Sequence, residues 1–103
     1  MSEAVRAEVA ALRAVAPRFD ELARRLGEVA SVLTERSAAE GECWGSDTPG
    51  STLASGYLPG RNAALRGIGV TAQTLTGIGA ALRVAADSYE RSDLATAAAL
   101  AGR

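Results

Sequence analysis

The sequence contains no histidine, no lysine and only one cysteine, Cys43, among its 103 residues. Without histidine it lacks both the commonest general base and the commonest metal ligand. A lone cysteine cannot close a disulfide within the chain. The sequence also has no serine in a nucleophile context and no glycine-rich phosphate loop after a strand. We therefore expect a protein that is not an enzyme and that holds no metal and no cofactor.

An excess of charge of one sign and long apolar runs are lacking as well. Eleven arginines face twelve acidic residues, so the formal net charge is -1. There is no basic field to attract nucleic acid or acidic lipid. No apolar run is long enough to span a bilayer, and residues 1–8 do not read as a signal peptide. We expect no nucleic-acid binding, no stable membrane insertion and no export by the general secretory route.

An apolar repeat of seven residues runs from Ser2 to about Glu40. It covers one side of a helix in a band wider than a coiled-coil seam. Ser2 with Glu3 suits the helix start, and Gly41 suits its end. Pro17 removes a helical hydrogen bond, but the repeat continues across it, so we favour a kink there over two separate helices. Charged residues outside the band are expected to form a solvated face. The three apolar rows are Val5, Leu12, Phe19, Leu26 and Leu33; Val9, Ala16, Ala23 and Ala30; and Val15, Leu22 and Val29.

The middle of the chain, residues 42–50, holds the only tryptophan, the only cysteine and several turn formers. Asp47 or Thr48 suits the cap of a second helix, with Pro49 in its first turn. The glycines are most simply explained by the backbone conformations that a turn requires. The turn motif consists of Trp44, Gly45, Asp47 and Gly50.

A second helical pattern follows the turn and is interrupted at Pro59, as a kink or a short break. Large and small residues alternate in it, which lets two helices approach closely. The segment from Asp93 to Arg103 is either a helical extension or a frayed tail. The large row is Ile68, Leu75, Leu82 and Tyr89, and the small row is Ala72, Gly79 and Ala86.

These patterns predict a single all-α domain over residues 1–103, an antiparallel helical hairpin. Helix 1 spans about 3–40, the turn 41–47 and helix 2 about 48–95, and a short C-terminal tail follows. Two such helices have a poor ratio of core to surface, and their apolar bands are wider than one partner helix covers. We expect a second hairpin, from a copy or a relative, to complete a four-helix bundle. The predicted core and dimer stripe is Leu12, Phe19, Leu26, Leu33, Ile68, Leu75 and Leu82.

Two short motifs at defined places in this hairpin carry a resemblance to a known family. The turn has the pattern Trp-Gly-x-Asp-x-x-Gly at residues 44–50, followed by Tyr57, and the C-terminal region has Tyr-x-x-x-Asp at Tyr89 and Asp93. With both motifs, the whole chain resembles the WXG family of type VII (ESX) secretion targets. The family's strict motif is Trp-x-Gly, whereas Gly45 directly follows the tryptophan. This departure favours the EspC-like branch of actinobacteria.

The resemblance implies export of a folded helical-hairpin dimer through an inner-membrane complex driven by an FtsK/SpoIIIE-type ATPase. Tyr89 and Asp93 would form the secretion signal, combined with Trp44 of the other protomer. The protein would be cytoplasmic before export and then secreted, extracellular or at the cell surface, without a cleavable signal peptide.

Two alternatives remain open from the sequence. The protein could be a cytosolic adaptor or chaperone subunit that pairs with the WXG-like N-terminal helices of a larger effector or toxin and targets it to the same system. Tyr89 continues a core row, so it is equally well explained as the last core residue. Asp93 fits a core poorly, because an unpaired buried carboxylate is costly. It should mark the end of the buried face or a contact with another molecule.

Overall fold

The computed structural model of the chain describes residues 2–40, 45 and 47–102, without the side chain of residue 40. It contains two helices, α1 (Glu3–Glu40) and α2 (Thr48–Ala101), and the described residues include no strand. The predicted all-α helical hairpin is confirmed. Neither helix, over the residues described, is apolar enough along its length to cross a membrane. Cys43 and Trp44 lie outside the described residues.

Helix α1 begins at a cap formed by Ser2. The Ser2 hydroxyl accepts a hydrogen bond from the backbone N–H of Val5 at 3.2 Å, and its carbonyl accepts one from Arg6 at 3.0 Å. These bonds satisfy N–H groups that the first turn of a helix leaves without intrahelical partners. The helix then continues through Pro17 without interruption, so the chain does not form two separate helices there.

Helix α2 begins at a second cap, formed by Asp47. Its carboxylate accepts a hydrogen bond from the N–H of Gly50 at 2.8 Å, and its carbonyl accepts one from Ser51 at 2.9 Å. Of the two predicted caps, Asp47 is therefore the one used. The helix passes through Pro59 without a break and ends at Ala101. Between the two possibilities for the C-terminal segment, the structure has the helical extension.

The chain forms two compact units, and each contains a segment of both helices. Unit 1 comprises Met1–Leu22 and Thr74–Arg103, and unit 2 comprises Ala23–Gln73. In unit 1 the helix segments are antiparallel, because Arg13 bonds to Asp87 whereas Asp20, further along α1, bonds to Arg83, which comes earlier in α2.

The buried centre of unit 1 consists of small residues. Ala16 and Ala86 have no exposed surface, Val9 is 3% exposed, and Gly79 is also buried. The small row predicted that the two helices approach closely, and in unit 1 they do so at Gly79 and Ala86. The large residues lie at the edges of this contact, where one partner helix covers only part of each side chain.

The fully buried contact between the helix segments of unit 1 is therefore made by small residues, and the large residues of the predicted core and dimer stripe surround it. All seven members of the predicted stripe are half-buried, in unit 1 and in unit 2 alike. Among the described residues of unit 2, none of the apolar side chains is fully buried, and only Ser37 and Gly50 fall in the buried class. The half-buried stripe residues are Leu12, Phe19, Leu75 and Leu82 in unit 1 and Leu26, Leu33 and Ile68 in unit 2.

Candidate functional site

Tyr89 forms one wall of a shallow apolar groove in unit 1, which we call the tyrosine groove. Its side chain is 51% exposed, so it is not the last core residue of its row. The groove runs between the first half of α1 and the second half of α2, and Glu8 is its one charged lining residue. Its lining residues are Glu8, Ala11, Leu12, Val15, Leu82 and Tyr89.

Asp93 lies one helical turn after Tyr89 but is less accessible than the tyrosine. It is half-buried, and its carboxylate oxygen Oδ2 has almost no exposed surface. The sequence-based expectation favoured the tyrosine over the aspartate as a core residue, and the structure reverses that order. Because α2 is continuous through both positions, the spacing of Tyr89 and Asp93 is fixed by the helix.

A second flank of unit 1 is charged and shares no lining residue with the tyrosine groove. Arg13 bridges two acids of α2: its Nη2 donates to Asp87 Oδ1 at 2.9 Å and its Nη1 to Glu90 Oε2 at 2.6 Å. Arg83 Nη2 donates to Asp20 Oδ2 at 2.5 Å. The charged face of α1 is therefore not simply solvated. Arg13 and Asp20, which lie beside the contact between the helix segments, form ion pairs with α2. Their position next to the apolar rows in the sequence could have indicated these pairs.

These pairs favour the charged form of both arginines, which arginine already has at neutral pH. The hydrogen bond to Asp87, followed by that to Glu90, raises the pKa of Arg13 above its ordinary value. The hydrogen bond to Asp20 raises the pKa of Arg83 in the same way. In both cases partial desolvation lowers the pKa but by less than the hydrogen bonds raise it.

The described residues of the turn motif have structural roles in unit 2. Gly45 has a φ of 76°, in the left-handed region that residues with a Cβ atom rarely adopt. Asp47 caps α2, and Gly50 supplies the N–H that the cap binds while its backbone is buried. Trp44, the fourth member, lies outside the described residues. The sequence pattern from Gly45 to Gly50 is therefore accounted for by the start of a helix.

Unit 2 presents another shallow apolar surface, which the sequence reasoning missed as a site and which we call the arginine groove. It lies along α1 and combines three apolar side chains with two arginines at its edges. The apolar row Val15, Leu22 and Val29 could have indicated this surface, because it widens the apolar band of α1 beyond what one partner helix covers. Its lining residues are Arg25, Glu28, Val29, Val32, Leu33 and Arg36.

No group of three or more metal-binding side chains is found within the part of the chain that the structure describes. Both grooves are open and mostly apolar, which suits contact with another protein surface. Compared with protein family models, with curated proteins and with solved structures, the chain matches none.

Proposed function

We propose that the protein is a non-enzymatic substrate of a type VII (ESX) secretion system. It is exported as a folded helical hairpin paired with a second hairpin, and Tyr89 and Asp93 form its signal. The observation that carries this proposal is the exposure of Tyr89. The residue is 51% accessible, although it continues the large row in which Leu75 and Leu82 are half-buried.

An exposed tyrosine at this position is suited to recognition by a receptor. Its ring supplies a large apolar contact and its hydroxyl a hydrogen-bonding group, and tyrosine is frequent among residues that dominate binding energy. Asp93 follows one turn later and adds a carboxylate close to the ring. Because both residues lie inside α2, the motif is ordered before binding, which lowers the entropic cost of recognition.

The incomplete burial of the predicted stripe supports pairing with a second hairpin. Its large side chains are half-buried in both units, and further apolar side chains such as Leu22 and Val29 are exposed. Covering them would remove apolar surface from water at about 25 cal/mol per Å². A second hairpin is the simplest structure that presents a matching apolar face.

In this proposal the FtsK/SpoIIIE-type ATPase of the secretion complex binds Tyr89 and Asp93 in the cytoplasm, and the protein is then released outside the cell. The turn contributes Trp44 of the paired hairpin to the same signal.

The test is secretion of the full chain from an actinobacterial host with an active type VII system. We expect Tyr89→Ala and Asp93→Ala to remove the protein from the culture filtrate while its cellular amount is unchanged. Leu94→Ala is the matched control, because Leu94 is a similarly exposed apolar residue on α2 outside the motif. Asp93→Glu keeps the carboxylate and should preserve export. Normal secretion of both alanine variants would refute the signal.

The same cultures distinguish the adaptor alternative. If the protein stays in the cell and co-purifies with a larger protein through that protein's N-terminal helices, it acts as a targeting subunit. If it reaches the filtrate without such a partner, it is itself the substrate.

A further inference from the structure

In unit 1, the apolar contact face of α2 ends before the proposed signal begins. Up to Ala86, which has no exposed surface, the residues of α2 that are buried or half-buried against α1 are small or apolar. From residue 87 to residue 102 every residue is exposed except Glu90 and Asp93, which are half-buried. Tyr89 and Asp93 therefore lie in a segment where the side chains turned towards α1 are mainly acidic.

Arg13 of α1 binds this segment on both sides of Tyr89 in the sequence. Its Nη2 donates to Asp87 Oδ1 at 2.9 Å and its Nη1 to Glu90 Oε2 at 2.6 Å. We infer that Arg13 is a positioning residue for the signal: by bonding to Asp87 and Glu90 together, it keeps the segment around Tyr89 docked on α1. The inference rests on the proposed function of Tyr89 and Asp93. We call these two contacts the Arg13 clamp.

The clamp matters here because the segment has little else to hold it. Ion pairs between partly exposed side chains contribute little to the stability of a whole protein. The ends of helices, however, open locally at a small cost in free energy, and α2 ends at Ala101. Where no apolar side chain is buried or half-buried, two ionic contacts are a large share of what opposes this opening. Arg13 should therefore control the position of the segment more than the stability of the chain.

The clamp holds α2 without covering the tyrosine. Arg13, Asp87 and Glu90 line a small polar cleft of about 190 Å³ that shares no residue with the tyrosine groove. Leu12, which precedes Arg13 in α1, lines that groove instead. Tyr89 thus stays 51% exposed while its helix is held from the other flank. A motif that is already docked and helical loses less conformational entropy when a receptor binds it.

The pair between Arg83 and Asp20 supplies a matched comparison within unit 1. The side chain of Arg83 is 44% exposed and that of Arg13 is 45% exposed, so the two arginines are equally accessible to water. Arg83, however, lies in the part of α2 that Leu82 and Ala86 already hold against α1. Loss of its ion pair should therefore leave the segment around Tyr89 in place.

The first experiment is amide hydrogen exchange of the full chain, followed by NMR. In Arg13→Gln the amides of residues 87–94 should exchange about two- to fivefold faster than in the natural chain, and those of residues 75–86 should not change. Arg13→Lys should be intermediate, because an ammonium group lacks the fork that bonds two carboxylates. Arg83→Gln should leave residues 87–94 unchanged. Unchanged exchange of residues 87–94 in Arg13→Gln would overturn the inference.

The second experiment is secretion of the same variants into the culture filtrate. Arg13→Gln should be secreted about two- to threefold less than the natural chain, because a smaller fraction of the molecules presents a docked signal. Arg83→Gln should be secreted normally, and Arg13→Lys should recover part of the loss. The urea midpoints of Arg13→Gln and Arg83→Gln should be close, so that overall stability does not explain the difference. Equal secretion of these two variants would overturn the positioning role.

The outcomes separate this inference from the secretion proposal. If Tyr89→Ala abolishes export and Arg13→Gln does not reduce it, the signal stands and the positioning role of Arg13 is refuted. If Tyr89→Ala is exported normally, the signal is refuted and with it the role of Arg13 in export. Faster exchange of residues 87–94 in Arg13→Gln would then still support the hold of Arg13 on this segment.

Discussion

Gly79 of α2 lies so close to α1 that a Cβ atom added to it would be 3.2 Å from the carbonyl oxygen of Ala16. The same atom would be 2.8 Å from Oδ1 of Asp20, which pairs with Arg83. The absence of a side chain at this position is therefore what permits the helices of unit 1 to approach. The full burial of Ala16 follows from this contact.

Gly79→Ala should be less stable than Gly77→Ala, although both replace a helical glycine by a better helix former. Gly77 has open space around its Cα, so alanine there should raise the free energy of unfolding by up to about 1 kcal/mol. At Gly79 the added methyl must displace the backbone of Ala16, and such overpacking costs about 1–3 kcal/mol. Urea denaturation of the two variants measures the difference directly. Equal stabilisation by both substitutions would show that the helices can separate without cost.

Asp47→Ala should lower stability by about 1 kcal/mol, because the substitution removes the carboxylate that accepts the N–H of Gly50 at 2.8 Å. Asp47→Asn retains an acceptor and should cost much less. Thermal unfolding followed by circular dichroism compares them. If the alanine and asparagine variants unfold together, the cap does not contribute.

Gly45→Ala should also destabilise the chain, by about 1–2 kcal/mol, because a left-handed backbone is strained for residues with a Cβ atom. Gly45→Asn should be milder, since asparagine tolerates this conformation better than alanine. Gly56→Ala provides the control, as Gly56 is helical and has no neighbour within 4 Å of an added Cβ atom. It should stabilise the protein. Secretion of the Gly45 variants would separate the structural role of the turn from any signalling role.

Reversing one charge of the Asp20–Arg83 pair should destabilise the chain, and reversing both should restore part of the loss. Comparing Asp20→Arg, Arg83→Asp and the double variant with the natural chain shows whether the two charges interact, because only the double variant again carries opposite charges at these positions. Both residues are partly exposed, so the coupling should shrink as salt is added. Coupling that is absent at low salt would contradict the pair.

The raised pKa of Arg83 determines how its contribution to stability depends on pH. The hydrogen bond to Asp20 raises the pKa of Arg83 in the folded chain, so its contribution to stability is fully present below the ordinary pKa of arginine and is lost only as pH rises through the higher folded pKa. Titration of Arg83 should therefore leave the free energy of unfolding unchanged between pH 7 and 10. Denaturant midpoints measured across that range test this expectation.

Local features of the structure were predictable from the sequence. The Ser2 cap follows from a short polar side chain placed before a helical pattern, and the same signal narrowed the cap of α2 to Asp47 or Thr48, of which the structure uses Asp47. The start of each helix at Glu3 and Thr48 follows from the same signals. Of the proposed site, the sequence supplied the spacing of Tyr89 and Asp93, since two residues four apart in a helix occupy adjacent turns. It did not supply their exposure.

The sequence by itself determined the two helices, where each begins and the register of the apolar rows, because these depend on interactions among residues close together in the chain. Only the tertiary structure decided which row is buried. Within unit 1, the distance between the two helix segments is set by Ala16 and Gly79. At that distance the leucines of unit 1 are half-buried, Tyr89 is exposed and Asp93 is partly covered. That distance is a property of two surfaces in contact, and no single row of residues fixes it.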